Sequence, residues 1–379
     1  MKLLYCGHGD NYHITKWIRA LDEAGITIHL ATFQPPHENH LPAEIHHLPS
    51  QFENLRYSDF LTSADRLQNI INKIKPDLVF ASFANTYGVL ASLTGFHPRV
   101  IQTWSRDIGI KEMQSYRELI LNYVTGFPVM ERADGITTDG VSFKNILMAQ
   151  KPEWECKTLA TPWGIRLSDF ETDEDDIHCG HQLCDLPEGS GVITSIRGVY
   201  WYYQPESIIR GMLQFLEDHP DYYGIILTLN QERSPEIQAL LDHARKHQRI
   251  RIIDRFLDKS EIRAIWAVTD AFISMPINDG VSEAVSEGRY TGAIPILNPI
   301  PSNLERAQDN HHAIYFPSIS PSSDQIAQTI NRVIAMSDHQ KRQIRSRNQE
   351  WVKKHASVED TINSLTGFLH RIYKQAQSA

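Results

Sequence analysis

Short apolar runs separated by longer amphipathic stretches recur through this 379-residue chain, and the pattern starts twice. Such alternation leaves few options: each apolar run reads as a strand of a parallel sheet, and each amphipathic stretch as a crossover helix. In the first half, residues 3–6 read as a strand, 7–11 as a turn and 12–24 as a helix ended by Gly25. Residues 26–32, 78–81, 100–103 and 135–138 read as further strands, with helices at 63–74 and 142–148. The segment 169–190 is acidic and then rich in Gly, His and Cys, and reads as a linker. After it the alternation restarts with strands at 191–195, 224–229, 249–253, 271–275 and 294–297. Helices are expected at 205–218, 235–247, 260–268 and 282–290. Ser302-x-x-Glu305 and Ser322-x-x-Gln325 have capping-box spacing, so each is expected to open a helix. Residues 338–377 keep a helical pattern. The expected fold class is therefore α/β, with two Rossmann-like doubly wound domains, 1–168 and 191–355, facing a central cleft. A C-terminal helix, 356–379, is expected to cross back onto the first domain.

Lys and Arg total 37 against 46 Asp and Glu, a net charge of −9. That balance argues against a chain whose main task is coating nucleic acid or anionic lipid, since phosphate affinity comes chiefly from Lys and Arg fields. Four cysteines make no disulfide framework. The start turns polar after four apolar residues, too few for a signal-peptide core. Residues 78–96 carry enough Ser, Thr and Asn to read as strand, turn and helix instead of a membrane span. The expected location is cytoplasmic, with at most peripheral membrane association at the inner face.

The richest stretch is 274–296. A buried strand ends at Pro276, a polar turn carries Asn278-Asp279-Gly280, and a helix begins. Backbone N–H groups and the helix dipole make such a start an anion site suited to a diphosphate. Gly280 permits close approach. Glu287, inside the helix, has the chemistry to hold a ribose diol, or to pair with Lys or Arg as an ordinary surface carboxylate.

This segment resembles the C-terminal signature of retaining GT-B glycosyltransferases, family four in particular: an acidic residue, seven residues, then Glu. The match sets Asp279 in the first acidic position and Glu287 in the second. The resemblance implies that Glu287 holds the donor ribose, while Asp279, Gly280, Val281 and Ser282 face the donor sugar and diphosphate. Here Glu287 is followed by Gly288-Arg289-Tyr290 where the family has Ala-Met-Ala. Pro162-Trp163-Gly164 resembles a family segment at the end of the first domain. Residues 251–263 resemble the strand and loop that read the base, implicating Arg255 and Phe256. Gly9-Asp10 through Trp17 resembles the opening of some members, and Trp104 to Asp107 a loop that makes Asp107 an acceptor-orienting or proton-accepting candidate.

Arg197 ends the first strand of the second domain, where a guanidinium can bind two phosphate oxygens or serve a purely structural role. Family members often carry Lys five or six residues later; here those positions are Tyr202 and Tyr203. Gly7 and Gly9 flank a turn that lacks the third glycine of a dinucleotide fingerprint, so a loop approaching a ligand fits better. His13, on the first turn of the next helix, is either one of many inert histidines or a contact to acceptor or donor sugar. His178-Cys-Gly-His-Gln-Leu-Cys184 is too compact to surround one ion. Asp173-Glu-Asp175 sits in the acidic stretch and follows no strand, so no metal is assigned.

The expected function is metal-independent, retaining transfer of a hexose from a nucleoside-diphosphate sugar, UDP-glucose or a relative, with no cofactor. Catalysis is assigned to Asp107, His13 and Arg197. The expected acceptor is an oligosaccharide or a lipid-linked glycan in surface or exopolysaccharide synthesis, and no nucleic-acid partner. Two alternatives stand beside it: a non-catalytic nucleotide-sugar-binding subunit, favoured by the missing lysine, and a sugar-nucleotide epimerase.

Overall fold

Two parallel sheets organise the chain, one in each of two units. The computed structural model describes residues 1–37, 40–49, 57–108, 120, 122–229 and 233–378. The first unit comprises Met1–Trp163 and Val358–Ala379, the second Gly164–Ser357.

In the first unit the strands are β1 (Lys2–Cys6), β2 (Thr27–Thr32), β3 (Glu44–His47), β4 (Leu78–Ser82), β5 (Arg99–Thr103), β6 (Gly135–Thr138) and β7 (Thr158–Ala160). Their order is β3-β2-β1-β4-β5-β6-β7, with every pairing parallel. Successive side chains of a strand point to opposite faces, so both faces of this sheet are buried. Leu4, Cys6, Val79, Ala81 and Ile101 pack toward helix Tyr57–Ile74 and helix Gly88–Leu93. Leu3, Tyr5, Leu78, Phe80 and Val100 pack toward helix Tyr12–Glu23 and the C-terminal helix Val358–Ser378.

The second unit repeats the plan with β8 (Gly191–Ser195), β9 (Tyr222–Leu227), β10 (Ile250–Ile253), β11 (Ala271–Ser274), β12 (Ile294–Leu297) and β13 (Ile314–Tyr315). The order is β10-β9-β8-β11-β12-β13, again all parallel. In each sheet the order reverses once, between β1 and β4 and between β8 and β11. Ligands of doubly wound sheets collect at the carboxyl ends of strands beside that switch point.

Three expectations need correction. The segment 169–190 is no linker: it lies within the second unit and contains helix Glu174–Leu183. Its acidity is helix chemistry, because the Asp173 carboxylate accepts from the Asp176 N–H, the Asp176 carboxylate accepts from the Asp173 N–H, and first-turn acids suit the dipole. Gly180 lets this helix approach helix Lys259–Val268, since a Cβ there would lie 2.3 Å from the Ala264 carbonyl oxygen. Arg263 then donates to both Asp176 carboxylate oxygens at 2.9 and 3.0 Å. Second, Ser302 caps nothing. The four-residue helix Pro301–Leu304 starts after Ile300 with Pro301 at its first position and no side-chain cap, whereas Ser322 does form its capping box with Gln325. Third, the long C-terminal helical run is broken at Ala356 and Ser357 into Asp338–His355 and Val358–Ser378, where the chain passes from the second unit to the first.

Candidate active site

In the second unit, two loops leave neighbouring strands at the switch point. After β8 the chain passes through Arg197 and a tight turn at Trp201–Tyr203, then enters helix Pro205–Asp218. After β11 it passes through Asn278-Asp279-Gly280 into helix Glu283–Thr291. The loops are stitched together: the Ile277 N–H donates to the Tyr202 carbonyl at 2.8 Å, and the Gln204 amide donates to the Met275 carbonyl at 2.9 Å.

Arg197 is the hub. One terminal nitrogen donates to the Asp279 carboxylate at 2.5 Å and to the Tyr203 hydroxyl at 3.0 Å. The other donates to Ser282 Oγ. The guanidinium also lies over the Tyr203 ring, 4.7 Å from its centre, and Tyr202 donates its hydroxyl proton to that of Tyr203 at 2.5 Å. Burial alone would lower the Arg197 pKa, but Asp279 and the two tyrosines reverse the effect and raise it above the ordinary arginine value. The Tyr202 hydroxyl is pushed up by burial and by Tyr203. The arrangement therefore fixes a cation against a helix start. Ser282 caps that helix through the Val285 N–H at 3.3 Å, with buried Gly280 and Val281 in the turn before it.

Glu287 lies one turn further on and is half-buried, accepting from the Trp266 indole N–H at 3.2 Å. That bond orients the carboxylate from behind, a support that the sequence reading missed because Trp266 belongs to a helix 21 residues upstream. Tyr203 was missed as a ligand of Arg197, though the run Tyr200-Trp201-Tyr202-Tyr203 was the available signal.

Arg255 and Phe256 follow β10. Arg255 makes a two-pronged pair with Glu261 at 2.9 and 2.5 Å, which engages its guanidinium at the cap of helix Lys259–Val268. Phe256 is 74% exposed. The structure does not bring either one to the Arg197 cluster by a described contact.

In the first unit, the loop after β1 is anchored tightly. The Gly9 N–H donates to Thr32 Oγ1 at 3.0 Å and to the Gln34 carbonyl at 2.9 Å, and a Cβ at Gly9 would lie 2.7 Å from that carbonyl. The close approach that demands glycine here is thus to the chain's own backbone. His13 stacks on Trp163 with ring centres 4.9 Å apart and meets Trp104 edge-on at 6.0 Å. Trp104 in turn stacks on Phe83 at 4.5 Å and lies 4.7 Å from Trp163. Three separately noticed pieces, His13, Trp104 and Pro162-Trp163-Gly164, therefore form one aromatic cluster. Asp107 is 1% exposed and accepts from the backbone N–H groups of Trp104 at 2.9 Å and Ala84 at 3.2 Å. These bonds tie the loops after β4 and β5 to the Asp107 carboxylate.

Residues 2–138 match the family described as Glycosyl transferase 4-like. No curated protein matches the chain in sequence. Among solved structures, Anabaena HepE in complex with UDP-glucose superposes with a TM-score of 0.78 at 15% identity, covering 100% of both chains. Sucrose-phosphate synthase from Thermosynechococcus elongatus gives 0.79 at 11% identity over 99% of this chain and 100% of the other. WaaG, a glycosyltransferase involved in lipopolysaccharide biosynthesis, gives 0.73 at 11% over 96% of this chain and 100% of the other. The chain has the GT-B fold.

The residues that follow Glu287 in this GT-B chain are set by packing. A Cβ at Gly288 would lie 2.6 Å from the Trp266 ring and 2.7 Å from the Phe272 ring, so the indole that holds Glu287 fills the space an alanine would need. The next residue, Arg289, is buried against Trp351 at 4.3 Å and donates to Asn348 at 2.9 Å. Burial and nearby Arg306 lower its pKa to about 9. Among the described residues, no helix is long and apolar enough to cross a membrane.

Proposed function

We propose that the chain transfers a hexose from a nucleoside-diphosphate sugar, UDP-glucose or a close relative, to a glycan or lipid-linked acceptor with retention at the anomeric carbon. The observation that carries this reading is the Arg197 cation held at the start of helix Glu283–Thr291, one turn from a tethered Glu287. Such a start offers backbone amides to a diphosphate, the guanidinium held by Asp279, Tyr203 and Ser282 offers positive charge beside them, and Glu287 offers a carboxylate to the ribose diol. The HepE complexes, with UDP-glucose and with UDP and glucose, support a uridine donor. A role in surface or exopolysaccharide synthesis extends the same reading.

The transition state of such a transfer is oxocarbenium-like, with charge growing on the departing diphosphate. In this reading Arg197 and the amides after Asp279 stabilise that charge, and no metal ion is required. In the proposed same-face route, the leaving phosphate oxygen takes the acceptor proton as the C1–phosphate bond breaks and the new glycosidic bond forms. The aromatic cluster around His13 offers a stacking surface to a sugar ring.

One observation favours a second reading. Tyr202 and Tyr203 stand where family members often carry a lysine, and neither hydroxyl brings positive charge to a leaving diphosphate. A nucleotide-sugar-binding subunit without transfer fits that substitution. Thermal-shift screening of UDP-glucose, ADP-glucose, GDP-mannose and free UDP, followed by donor-hydrolysis assays, separates the two. Transfer or hydrolysis supports the enzyme, binding alone supports the subunit, and no shift with any nucleotide rejects both.

A further inference from the structure

At one edge of the first sheet, β2 and β3 pair with His29 beside Glu44 and Ala31 beside His46. Paired residues and those two apart share a face, so His29, Glu44 and His46 rise from the same side. His29 Nδ1 and His46 Nε2 face each other at 3.1 Å, with the rings stacked at 5.3 Å. One Glu44 oxygen lies 3.4 Å from His29 Nδ1, and the other 3.7 Å from His46 Nε2. One ligand atom from each residue lies within 4.8 Å of the other two. Nitrogen and oxygen donors held at ~2.0–2.1 Å around a tetrahedral ion are about 3.3 Å apart. The 3.1 Å separation of the two nitrogens and the 3.4 and 3.7 Å approaches of the two Glu44 oxygens are each close to such an edge.

We propose that His29, Glu44 and His46 bind one divalent transition-metal ion of the zinc type, with water completing the fourth position. Two imidazoles and a carboxylate suit zinc, nickel or copper, whereas calcium and magnesium prefer all-oxygen sites. His29 is buried at the sheet surface and Glu44 is exposed, so the open position faces solvent. The facing nitrogens form one hydrogen bond and therefore share one proton. Metal binding displaces that proton to solvent and leaves both nitrogens as lone-pair donors. Burial lowers both histidine pKa values, Lys2 near His29 and Arg66 and Lys73 near His46 act in the same sense, and Glu44 opposes them. Neutral rings at neutral pH result. The ion would cross-link the short edge strand to its neighbour.

The test uses the full chain without an affinity tag, stripped by chelator and dialysed. Zinc is titrated calorimetrically in two buffers of different protonation enthalpy, and cobalt is followed by absorption. The expected result is one ion per chain, about one proton released, tetrahedral cobalt bands and no thiolate charge-transfer band. Saturable binding should be lost in His46→Ala and in His29→Asn, and retained in the neighbouring control His47→Ala. Glu44→Gln, at an exposed position, should weaken binding with the fold intact by circular dichroism, and it decides the matter if a histidine variant misfolds. Absence of saturable binding, undiminished binding in Glu44→Gln or His46→Ala, or a thiolate band pointing to Cys179 or Cys184 would overturn the proposal.

Discussion

Arg197 and Asp279 meet at 2.5 Å across two loops that leave adjacent parallel strands. Their side chains are only 12% and 22% exposed, so each keeps the other from being a solitary charge in a poorly solvated place. The sequence assigned one to phosphate and the other to sugar; the fold couples them. Arg197→Ala and Asp279→Ala should each lower unfolding free energy by about 1.5–3 kcal/mol, the range for hydrogen bonds to charged groups. Their double variant should lose less than the sum. Urea denaturation of the four proteins measures this. Arg197→Lys should recover charge but only part of turnover, because the fork geometry is gone.

Gly288→Ala should destabilise the second unit by about 1–3 kcal/mol, the usual cost of overpacking, because the added carbon meets Trp266 and Phe272. Adding Trp266→Leu removes one of the two clashes but leaves Phe272 and opens a cavity, so the stability loss should persist, and nucleotide binding should weaken because Glu287 loses its indole donor. If the double variant binds nucleotide as the parent does, Trp266 does not orient Glu287.

Much of the fold was legible because parallel strands buried on both faces are continuous apolar runs, and β1, β4, β8, β11 and β12 all read that way. The edge strands β3, β7 and β13 were not, being two to four residues long with little pattern to read. The acidic segment 169–190 misled because Asp173 and Asp176 look like solvated charge, yet they cap a helix whose Gly180 fits it against the Ala264 backbone. Arg197, Asp279 and Ser282 were individually legible from strand-end and helix-start positions. Their mutual bonds, the Trp266 tether and the Asp107 amide bonds depend on which strands become neighbours, and local sequence carries no direct record of that. The histidine pair is the clearest case: His29 and His46 are 17 residues apart and adjacent only through the β2–β3 register.

Stability should fall as the solution is acidified through the histidine range, with His8 contributing. Burial lowers its pKa from the ordinary 6.5, against opposing effects of Asp10 and Gln34. Below that value the unfolded chain takes up the proton more readily than the folded one, so stability rises with pH between the folded and unfolded values. The contribution is complete above about 6.5 and is lost toward the lower, folded value. His8→Gln should flatten the slope of unfolding free energy against pH in that window, and an unchanged slope would remove His8 from the account.

Transfer, or donor hydrolysis, should persist in excess EDTA when assayed well below the melting temperature. The cation serving the leaving diphosphate is assigned to Arg197 with the amides of the helix start. Abolition by chelator with rescue by Mn²⁺ would show that a metal supplies the charge that Tyr202 and Tyr203 cannot.

The central claim is that Asp279 to Glu287, with Arg197, forms a nucleotide-sugar site. Calorimetric titration of UDP-glucose into the parent and Glu287→Ala tests it most directly. The account predicts one molecule bound per parent chain, with affinity about 10- to 150-fold weaker in the variant, the equivalent of ~1.5–3 kcal/mol for hydrogen bonds to a charged acceptor. Equal affinity in the two proteins, or no binding of this or any other nucleotide sugar by the parent, would contradict it.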